Sequence, residues 1–175
     1  RMLALLPALR ERIGEYIFAE EETTLEAAIG KLLLAQNLTI GTAESCTGGL
    51  VAKRLTSVSG SSAYFRGGIV AYHNDIKQEE LDVRPETLAQ HGAVSEATVR
   101  EMAEGARRRL GVDVAVATSG IAGPTGATAT KKVGTVCLAY ADATQTISKE
   151  YVLDRGRALN VEYAAQSLLT LLRQQ

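Results

Sequence analysis

Apolar side chains recur along this chain at two different spacings, which together predict alternating helices and strands. A spacing of three and four residues is typical of a helix with one buried face. This spacing follows the N-cap candidates Thr23 and Thr24, and it recurs after Ser95. The helices predicted in this way cover residues 25–36, 47–58, 74–81, 85–91, 95–110 and 159–172.

Runs of β-branched and aromatic residues lie between these helices and predict the strands. Gly67 and Gly68 inside the second run indicate a bulge or a close backbone approach. Strands that alternate with helices predict an α/β fold, a three-layer α/β/α sandwich, and a late hairpin makes its sheet mixed and mostly parallel. The predicted strands cover residues 38–43, 64–72, 112–118 and the two hairpin arms, 132–141 and 144–153.

Residues 1–22 differ from the rest of the chain. A short extended piece over residues 16–18 and an acidic cluster over residues 20–22 end this segment. Together with the Arg that begins the chain, the pattern predicts the tail of an upstream module and a linker, followed by one main domain over residues 23–175. The apolar residues that recur there at helical spacing are Leu3, Leu5, Leu6, Leu9 and Ile13.

The composition is that of an ordinary globular protein and narrows the function classes. Of the 175 residues, 46% are hydrophobic and 22% are charged, which suffices for one apolar core. A net charge of −1 and the absence of Trp argue against a nucleic-acid partner. The apolar stretches are too short to cross a bilayer, so no membrane partner is predicted.

Cysteines and histidines are few, which bears on compartment and on metal binding. Two cysteines, Cys46 and Cys137, are too few for a disulfide scaffold and fit a reducing compartment, so a cytoplasmic location is expected. The two histidines, His73 and His91, form no His-x-x-x-His pair, and no Cys-x-x-Cys occurs. The sequence therefore predicts no zinc site and assigns no cofactor.

The segment TAESCTGGL, residues 42–50, is the most informative stretch of the chain. A predicted strand ends there and a predicted helix begins, so hydroxyls and unpaired backbone N–H groups gather at a helix N-terminus. Such an end suits an anionic ligand or a developing oxyanion. Glu44 is interpreted as a partner for the helix dipole. Loop one, residues 45–49, contributes the candidate site residues Ser45, Thr47, Gly48 and Gly49.

A second glycine-rich segment, SGIAGPTG over residues 119–126, is loop two. It also follows a predicted strand, and ligands of open α/β sheets bind at the carboxyl ends of the strands. Two such loops indicate a cradle for a phosphate or a small nucleotide, although glycines after strands also serve as plain turn residues. Neither loop has a Walker or a G-x-G-x-x-G pattern. The candidate binding residues of loop two are Ser119, Gly120, Ile121, Ala122 and Gly123.

Tyr72 and Lys77 follow the second predicted strand and suggest chemistry that needs neither histidine nor metal. A lysine in a partly buried polar pocket can lose its proton near neutral pH and act as a base toward serine. Ser45 and Ser62 are both candidates for that serine. From composition alone, a solvated lysine on a helix surface is the simpler interpretation of Lys77.

Arg155 and Arg157 precede the last predicted helix. An arginine at that place can bind a phosphate through two parallel hydrogen bonds, or it can simply solvate the start of the helix. The residues alone leave these two interpretations open.

Six short motifs are spread over the chain between Ala43 and Val136. They are AESCTGG (43–49), GSSAYF (60–65), GGIVAYHNDIK (67–77), HGAVSE (91–96), SGIAGPTG (119–126) and KKVGTV (131–136). In this order they resemble the C-terminal domain of CinA, the competence/damage-inducible protein. The resemblance runs from about Thr24 to the C-terminus, and residues 1–22 resemble the tail of the upstream module in full-length CinA.

The resemblance implies a three-layer α/β/α fold, usually in a homodimer. It also implies hydrolysis of nicotinamide mononucleotide to nicotinate mononucleotide and ammonia, a step of the pyridine nucleotide cycle. Carried over by motif, the polar site residues are Ser45, Ser62, Tyr72, Lys77, Ser119 and Arg157.

A metal-independent amidohydrolase is the first functional hypothesis. Ser45 attacks the carboxamide, with Ser62 as the alternative nucleophile, while Lys77 and Tyr72 move protons. Backbone N–H groups of the loops hold the oxyanion. Arg157 and further loop donors hold the phosphate.

A dimerisation or partner-binding domain of a larger competence-related protein is the second hypothesis. Thr125 and Ala127 stand in loop two where the family tends to have glycine. Side chains at such positions narrow a loop or remove a turn with positive φ, so the pocket could have degenerated. The intact serines, tyrosine and lysine favour the enzyme.

Overall fold

Five stretches rich in small and β-branched residues form one sheet in the computed structural model, which describes residues 6–14, 17–19 and 21–175. The strands are β1 (Ile40–Glu44), β2 (Phe65–Val70), β3 (Val114–Gly120), β4 (Thr135–Ala141) and β5 (Thr146–Val152). Their order is β2-β1-β3-β4-β5. β1 pairs in parallel with β2 and β3, and β4 runs antiparallel to β3 and β5. Four of the five strands in these ranges therefore point the same way, which confirms the predicted mixed, mostly parallel sheet.

Helices cover both faces of the sheet. They are α1 (Leu6–Ile13), α2 (Leu25–Ala35), α3 (Leu50–Thr56), α4 (Asn74–Leu81), α5 (Pro85–His91), α6 (Glu96–Leu110) and α7 (Arg157–Arg173). Alternate residues of a strand face opposite sides, so Val116 and Ala117 of β3 enter different apolar cores. Val116 packs with α2, α3 and α7, and Ala117 packs with α4 and α6. The predicted three-layer sandwich is confirmed.

The edge strand β2 contains both irregularities that its glycines predict. Ile40 pairs with Phe65 but Gly41 pairs with Gly67, so Arg66 is an extra residue that forms a bulge. A Cβ at Gly68 would collide with Thr42 Oγ1 of β1. The glycine therefore allows β2 to lie close against β1.

α3 begins at Leu50, three residues later than predicted. Gly48 and Gly49 adopt positive φ angles of 60° and 99°, which a right-handed helix does not contain. The late start leaves loop one as an irregular segment between β1 and α3. α4 and α5 have the predicted bounds, and β4 with β5 confirms the hairpin.

The N-terminal segment contains the helix α1, in agreement with its apolar spacing. The predictions on Leu3, Leu5, Tyr16 and Glu20 lie outside the described residues. The division of the chain into a tail and a main domain stays a prediction. None of the helices in the described ranges is long and apolar enough to cross a membrane.

Candidate active site

The two predicted loops meet at the carboxyl edge of the sheet. β1 and β3 run in parallel register there, with Glu44 opposite Thr118. Loop one starts directly after β1, and loop two starts at Ser119, near the end of β3. The Ser45 backbone N–H donates to the Thr118 carbonyl oxygen at 3.0 Å, which ties loop one to β3. Tyr72 follows β2 at the same edge.

Lys77 brings a buried amine to Ser45. It lies on α4, is 2% exposed, and its Nζ donates to Ser45 Oγ at 3.2 Å. Nζ also donates to the carbonyl oxygens of Ala71 at 2.8 Å and Tyr72 at 3.3 Å. Three acceptors match the three donors of an ammonium and fix its position beside the serine. The interpretation of Lys77 as a solvated lysine is therefore wrong.

Burial acts on the pKa values of both neighbours of Ser45. It lowers the pKa of Lys77 below its usual 10.5, because desolvation penalises the charged form, and the nearby Cys46 opposes this effect. Burial also raises the pKa of Cys46 to about 11, so its thiol stays protonated near neutral pH. Ser45 is the stronger nucleophile candidate of the two, because Lys77 hydrogen-bonds its hydroxyl and not the Cys46 thiol.

Tyr72 and Arg157 meet beside this pair. Arg157 begins α7, and its guanidinium donates to Tyr72 Oη at 3.2 Å and to the Gly123 carbonyl oxygen at 3.0 Å. The Tyr72 side chain is exposed, and its O–H can still donate a hydrogen bond to a ligand. Arg155 instead lies over the Tyr163 ring, 5.3 Å from its centre. Arg157 therefore links the end of β2 to loop two.

Ser62 lies away from this group. It belongs to a short 3₁₀ helix, Ser61–Ala63, that precedes β2, whereas Tyr72 follows β2. A strand of this length spans roughly 20 Å, so Ser62 and Tyr72 lie at opposite edges of the sheet. The sequence expectation that Ser62 shares a site with Lys77 is not met within one chain, because a motif does not show which end of a strand its residues occupy.

Glu44 occupies the N-terminus of α3. Its carboxylate accepts hydrogen bonds from the backbone N–H groups of Gly49 and Val51 at 3.0 Å and of Ala52 at 2.8 Å, and from the Thr47 hydroxyl at 2.7 Å. The residue is 1% exposed, so water does not compete for these donors. Glu44 is thus the predicted partner of the helix dipole. It also corrects the expectation that this helix end is open to a ligand.

Two backbone amides of loop one remain available to an oxyanion. The N–H groups of Cys46 and Thr47 donate to no other residue in the described part of the chain, and the Cys46 N–H faces its own thiol. Successive free N–H groups in a turn form a concave anion site. The Thr47 hydroxyl is not part of it, because it lies 2.7 Å from both Glu44 and the Thr118 hydroxyl. The side chain of Thr47 therefore holds the loop in shape.

Removing the Glu44 carboxylate is expected to destabilise the fold strongly. In Glu44→Ala, each of the four buried donors left unpaired costs about 1–3 kcal/mol, so the free energy of unfolding should fall by about 4 kcal/mol or more. Glu79→Ala is the control, because Glu79 is an exposed glutamate of α4 and should change stability by less than about 0.5 kcal/mol. Urea unfolding measures both variants, and equal losses would show that Glu44 is not a buried cap.

Several residues of loop two form hydrogen bonds to neighbouring segments of the chain. The Ser119 hydroxyl donates to the Ala93 carbonyl oxygen at 2.7 Å. The Ile121 amide donates to the carbonyl oxygen of Thr135, the first residue of β4, at 2.8 Å. The Ala122 carbonyl oxygen accepts from Asn160 of α7 at 3.0 Å. The amides of Ala122 and Gly123 have no acceptor among the described groups. A Cβ at Gly120 would lie 3.0 Å from Cys46 Sγ, so loops one and two touch.

Three residues of this site were not expected from the sequence. Thr118 binds loop one, Ala93 accepts from Ser119, and Asn160 holds loop two. Each pair is separated by 26 to 71 positions in the chain, so no local spacing indicates the contact. A buried hydroxyl at the end of β3 was the one available signal, since buried polar groups need partners.

The sequence and the fold of this chain match known proteins. A model of the CinA C-terminal domain family matches residues 22–175. A crystal structure of the competence damage-inducible protein A (ComA) from Klebsiella pneumoniae is 37% identical, with a TM-score of 0.84 over 86% of this chain and 94% of that one. The competence/damage inducible protein CihA from Agrobacterium tumefaciens is 41% identical, with a TM-score of 0.83 over the same shares of the two chains.

Longer relatives match as well. A CinA-like protein from Chloroherpeton thalassium is 47% identical over 97% of this chain, and a putative competence-damage inducible protein from Symbiobacterium thermophilum is 54% identical over 81% of it. The matched segments cover 41% and 33% of those two proteins. The chain therefore spans at most about two fifths of the length of these relatives.

Proposed function

Because the chain belongs to the CinA C-terminal domain family, we propose that it hydrolyses the carboxamide of nicotinamide mononucleotide to nicotinate mononucleotide and ammonia. The observation that carries the proposal is the buried Lys77 amine, 3.2 Å from Ser45 Oγ. A serine beside a lysine that can lose its proton is a known arrangement for amide hydrolysis without histidine or metal.

The first half of the reaction forms an ester on Ser45. Neutral Lys77 takes the Ser45 hydroxyl proton while Oγ forms a bond to the carboxamide carbon. The negative charge that develops on the carbonyl oxygen is stabilised by the free amides of Cys46 and Thr47. The carbon–nitrogen bond then breaks, the leaving nitrogen receives the proton from Lys77, and ammonia departs.

The second half releases the acid. A water molecule gives its proton to Lys77 and attacks the ester carbon, and the carbon–Oγ bond breaks as the proton returns to Ser45. The product is the nicotinate carboxylic acid, which ionises at neutral pH. Lys77 and Ser45 are restored, so the cycle consumes only water and the amide.

Tyr72 and Arg157 complete the proposed site. Because Tyr72 Oη accepts a hydrogen bond from Arg157, its own O–H is free to donate to the substrate amide. Arg157 also holds the Gly123 carbonyl of loop two, so it positions both the tyrosine and the loop. The phosphate role that the resemblance implies for Arg157 stays a prediction, and so does the homodimer.

Ammonia release from nicotinamide mononucleotide tests the proposed function directly. The folded protein is expected to release one ammonia for each nicotinate mononucleotide formed. A folded protein without turnover would instead favour a binding or dimerisation domain. That outcome would agree with the side chains of Thr125 and Ala127 in loop two.

Chelation is expected to leave the deamidase rate unchanged. The Ser45–Lys77 pair generates its nucleophile without a metal, and the described residues contain no group of three His, Cys, Asp or Glu placed to hold one. The measurement is the initial rate before and after treatment with a strong chelator. A loss that a divalent ion restores would contradict the serine–lysine mechanism.

A further inference from the structure

A cavity of about 410 Å³ lies beside the proposed site. One wall is the segment 90–94, which ends α5 and leads to α6. The other wall consists of Ile121, Gly126, Thr128, Thr130 and Lys131. The volume falls within the range of about 300–1,000 Å³ that small-molecule sites occupy. The cavity is large enough for a ligand of the proposed size.

The C-terminal end of β3 contacts both the proposed site and the cavity. Thr118 binds the amide of Ser45, and the next residue, Ser119, donates to the Ala93 carbonyl in the wall of the cavity. The cavity also lies at the start of α6, on the face of the sheet that α4 and Lys77 occupy. The cavity therefore lies on the same side of the sheet as the Lys77 amine.

Lys131 provides an unneutralised cation at the rim. It is half-buried, and its Nζ donates one hydrogen bond of 3.4 Å, to the His91 carbonyl oxygen across the cavity. Lys131 also interacts electrostatically with Cys137, on which Glu150 and Glu96 act as well. No carboxylate within residues 21–175 forms an ion pair with it. Thr128 accepts from the Lys131 backbone N–H at 3.0 Å, and Thr130 lines the same wall. An ammonium with free donors beside hydroxyls suits a phosphate group.

We propose that this cavity holds the ribose phosphate of the mononucleotide and that Lys131 binds the phosphate. The assignment rests on the proposed function, because it concerns the same substrate. Arg157 is the competing cation, but two of its donors are already bound to Tyr72 and Gly123. Arg157 also begins α7, which packs on the opposite face of the sheet.

Steady-state kinetics of Lys131→Met test the assignment, with Lys132→Met as the matched control. Lys132 is exposed, adjacent in sequence and absent from the cavity wall. Loss of one charge-assisted contact should raise KM for the mononucleotide by about tenfold to a hundredfold, leave kcat within about twofold, and leave the unphosphorylated riboside unaffected. Lys132→Met should match the parent for both substrates.

Two kinetic outcomes would overturn the proposal. Equal effects of Lys131→Met on nucleotide and riboside would make Lys131 a structural residue. An unchanged KM in Lys131→Met, together with a nucleotide-specific rise in Arg157→Lys, would move the phosphate to Arg157. In both cases the parent still turns over, so the proposed function stands.

Calorimetry with nicotinate mononucleotide separates the cavity from the catalytic proposal. If the parent protein binds this nucleotide and Lys131→Met weakens binding about tenfold or more, the cavity assignment holds even where no ammonia is released. Binding without ammonia release would then show that the proposed function fails while the cavity assignment holds. Absence of binding in the parent, or equal affinity in parent and Lys131→Met, would overturn the cavity assignment.

Discussion

Ser45→Ala is expected to lower kcat for nicotinamide mononucleotide by about 10³–10⁶-fold, the range found when a catalytic nucleophile is removed. The hydroxyl that Lys77 contacts at 3.2 Å is lost, and no other nucleophile lies at the same place. Cys46 is a poor substitute, because Lys77 hydrogen-bonds the Ser45 hydroxyl and not the buried Cys46 thiol. KM should change little, since the mutation removes one oxygen atom that acts mainly in the transition state. Ammonia release and circular dichroism of the variant are the measurements.

Ser62→Ala is the matched comparison for this variant. Ser62 is exposed and lies at the opposite edge of the sheet from Tyr72, so its kcat should stay close to that of the parent. The reverse order of effects would make Ser62 the nucleophile. Because Ser62 is separated from Lys77 within one chain, it could then act only through a second copy of the protein. Full activity of both variants would end the covalent mechanism.

The layers of the fold could be predicted from local pattern alone. β3 consists of apolar and small residues on both faces, as expected for a strand buried between helices. The bounds could not be predicted as well. α3 starts at Leu50 because Gly48 and Gly49 have positive φ angles, and the capping of the helix by Glu44 depends on how loop one turns. Propensity does not describe such a turn.

The candidate site also has a part that could be predicted from the sequence and a part that could not. The Ser45–Lys77 pair was predictable as chemistry, because a chain so poor in histidine has few other bases. The burial that lowers the pKa of Lys77 comes from packing of α4 and could not be seen in the sequence. Lys131 was not predicted for a related reason. Its proposed role depends on the absence of an ion-pair partner among the described residues and on the cavity beside it, and a sequence motif shows neither.

The pH dependence of kcat/KM should report the amine of Lys77. Desolvation is the main cause that lowers its pKa in the folded protein. The neutral amine is the active form, so the rate should rise with pH through this lowered pKa and reach a plateau before the range in which an exposed lysine titrates. A rate that falls as pH rises through this range would contradict a lysine base.

Lys77→Arg is expected to abolish turnover in a folded protein. Arginine keeps the positive charge but does not lose its proton near neutral pH, so it cannot take the Ser45 proton. Removal of a general base costs about 10²–10⁴-fold in rate, and the loss is larger where the base also activates a nucleophile. Lys77→Met tests the same step with an uncharged side chain of similar length. Both variants should bind nicotinate mononucleotide, as measured by calorimetry. Retained turnover in Lys77→Arg, with loss in Lys77→Met, would show that Lys77 contributes charge alone.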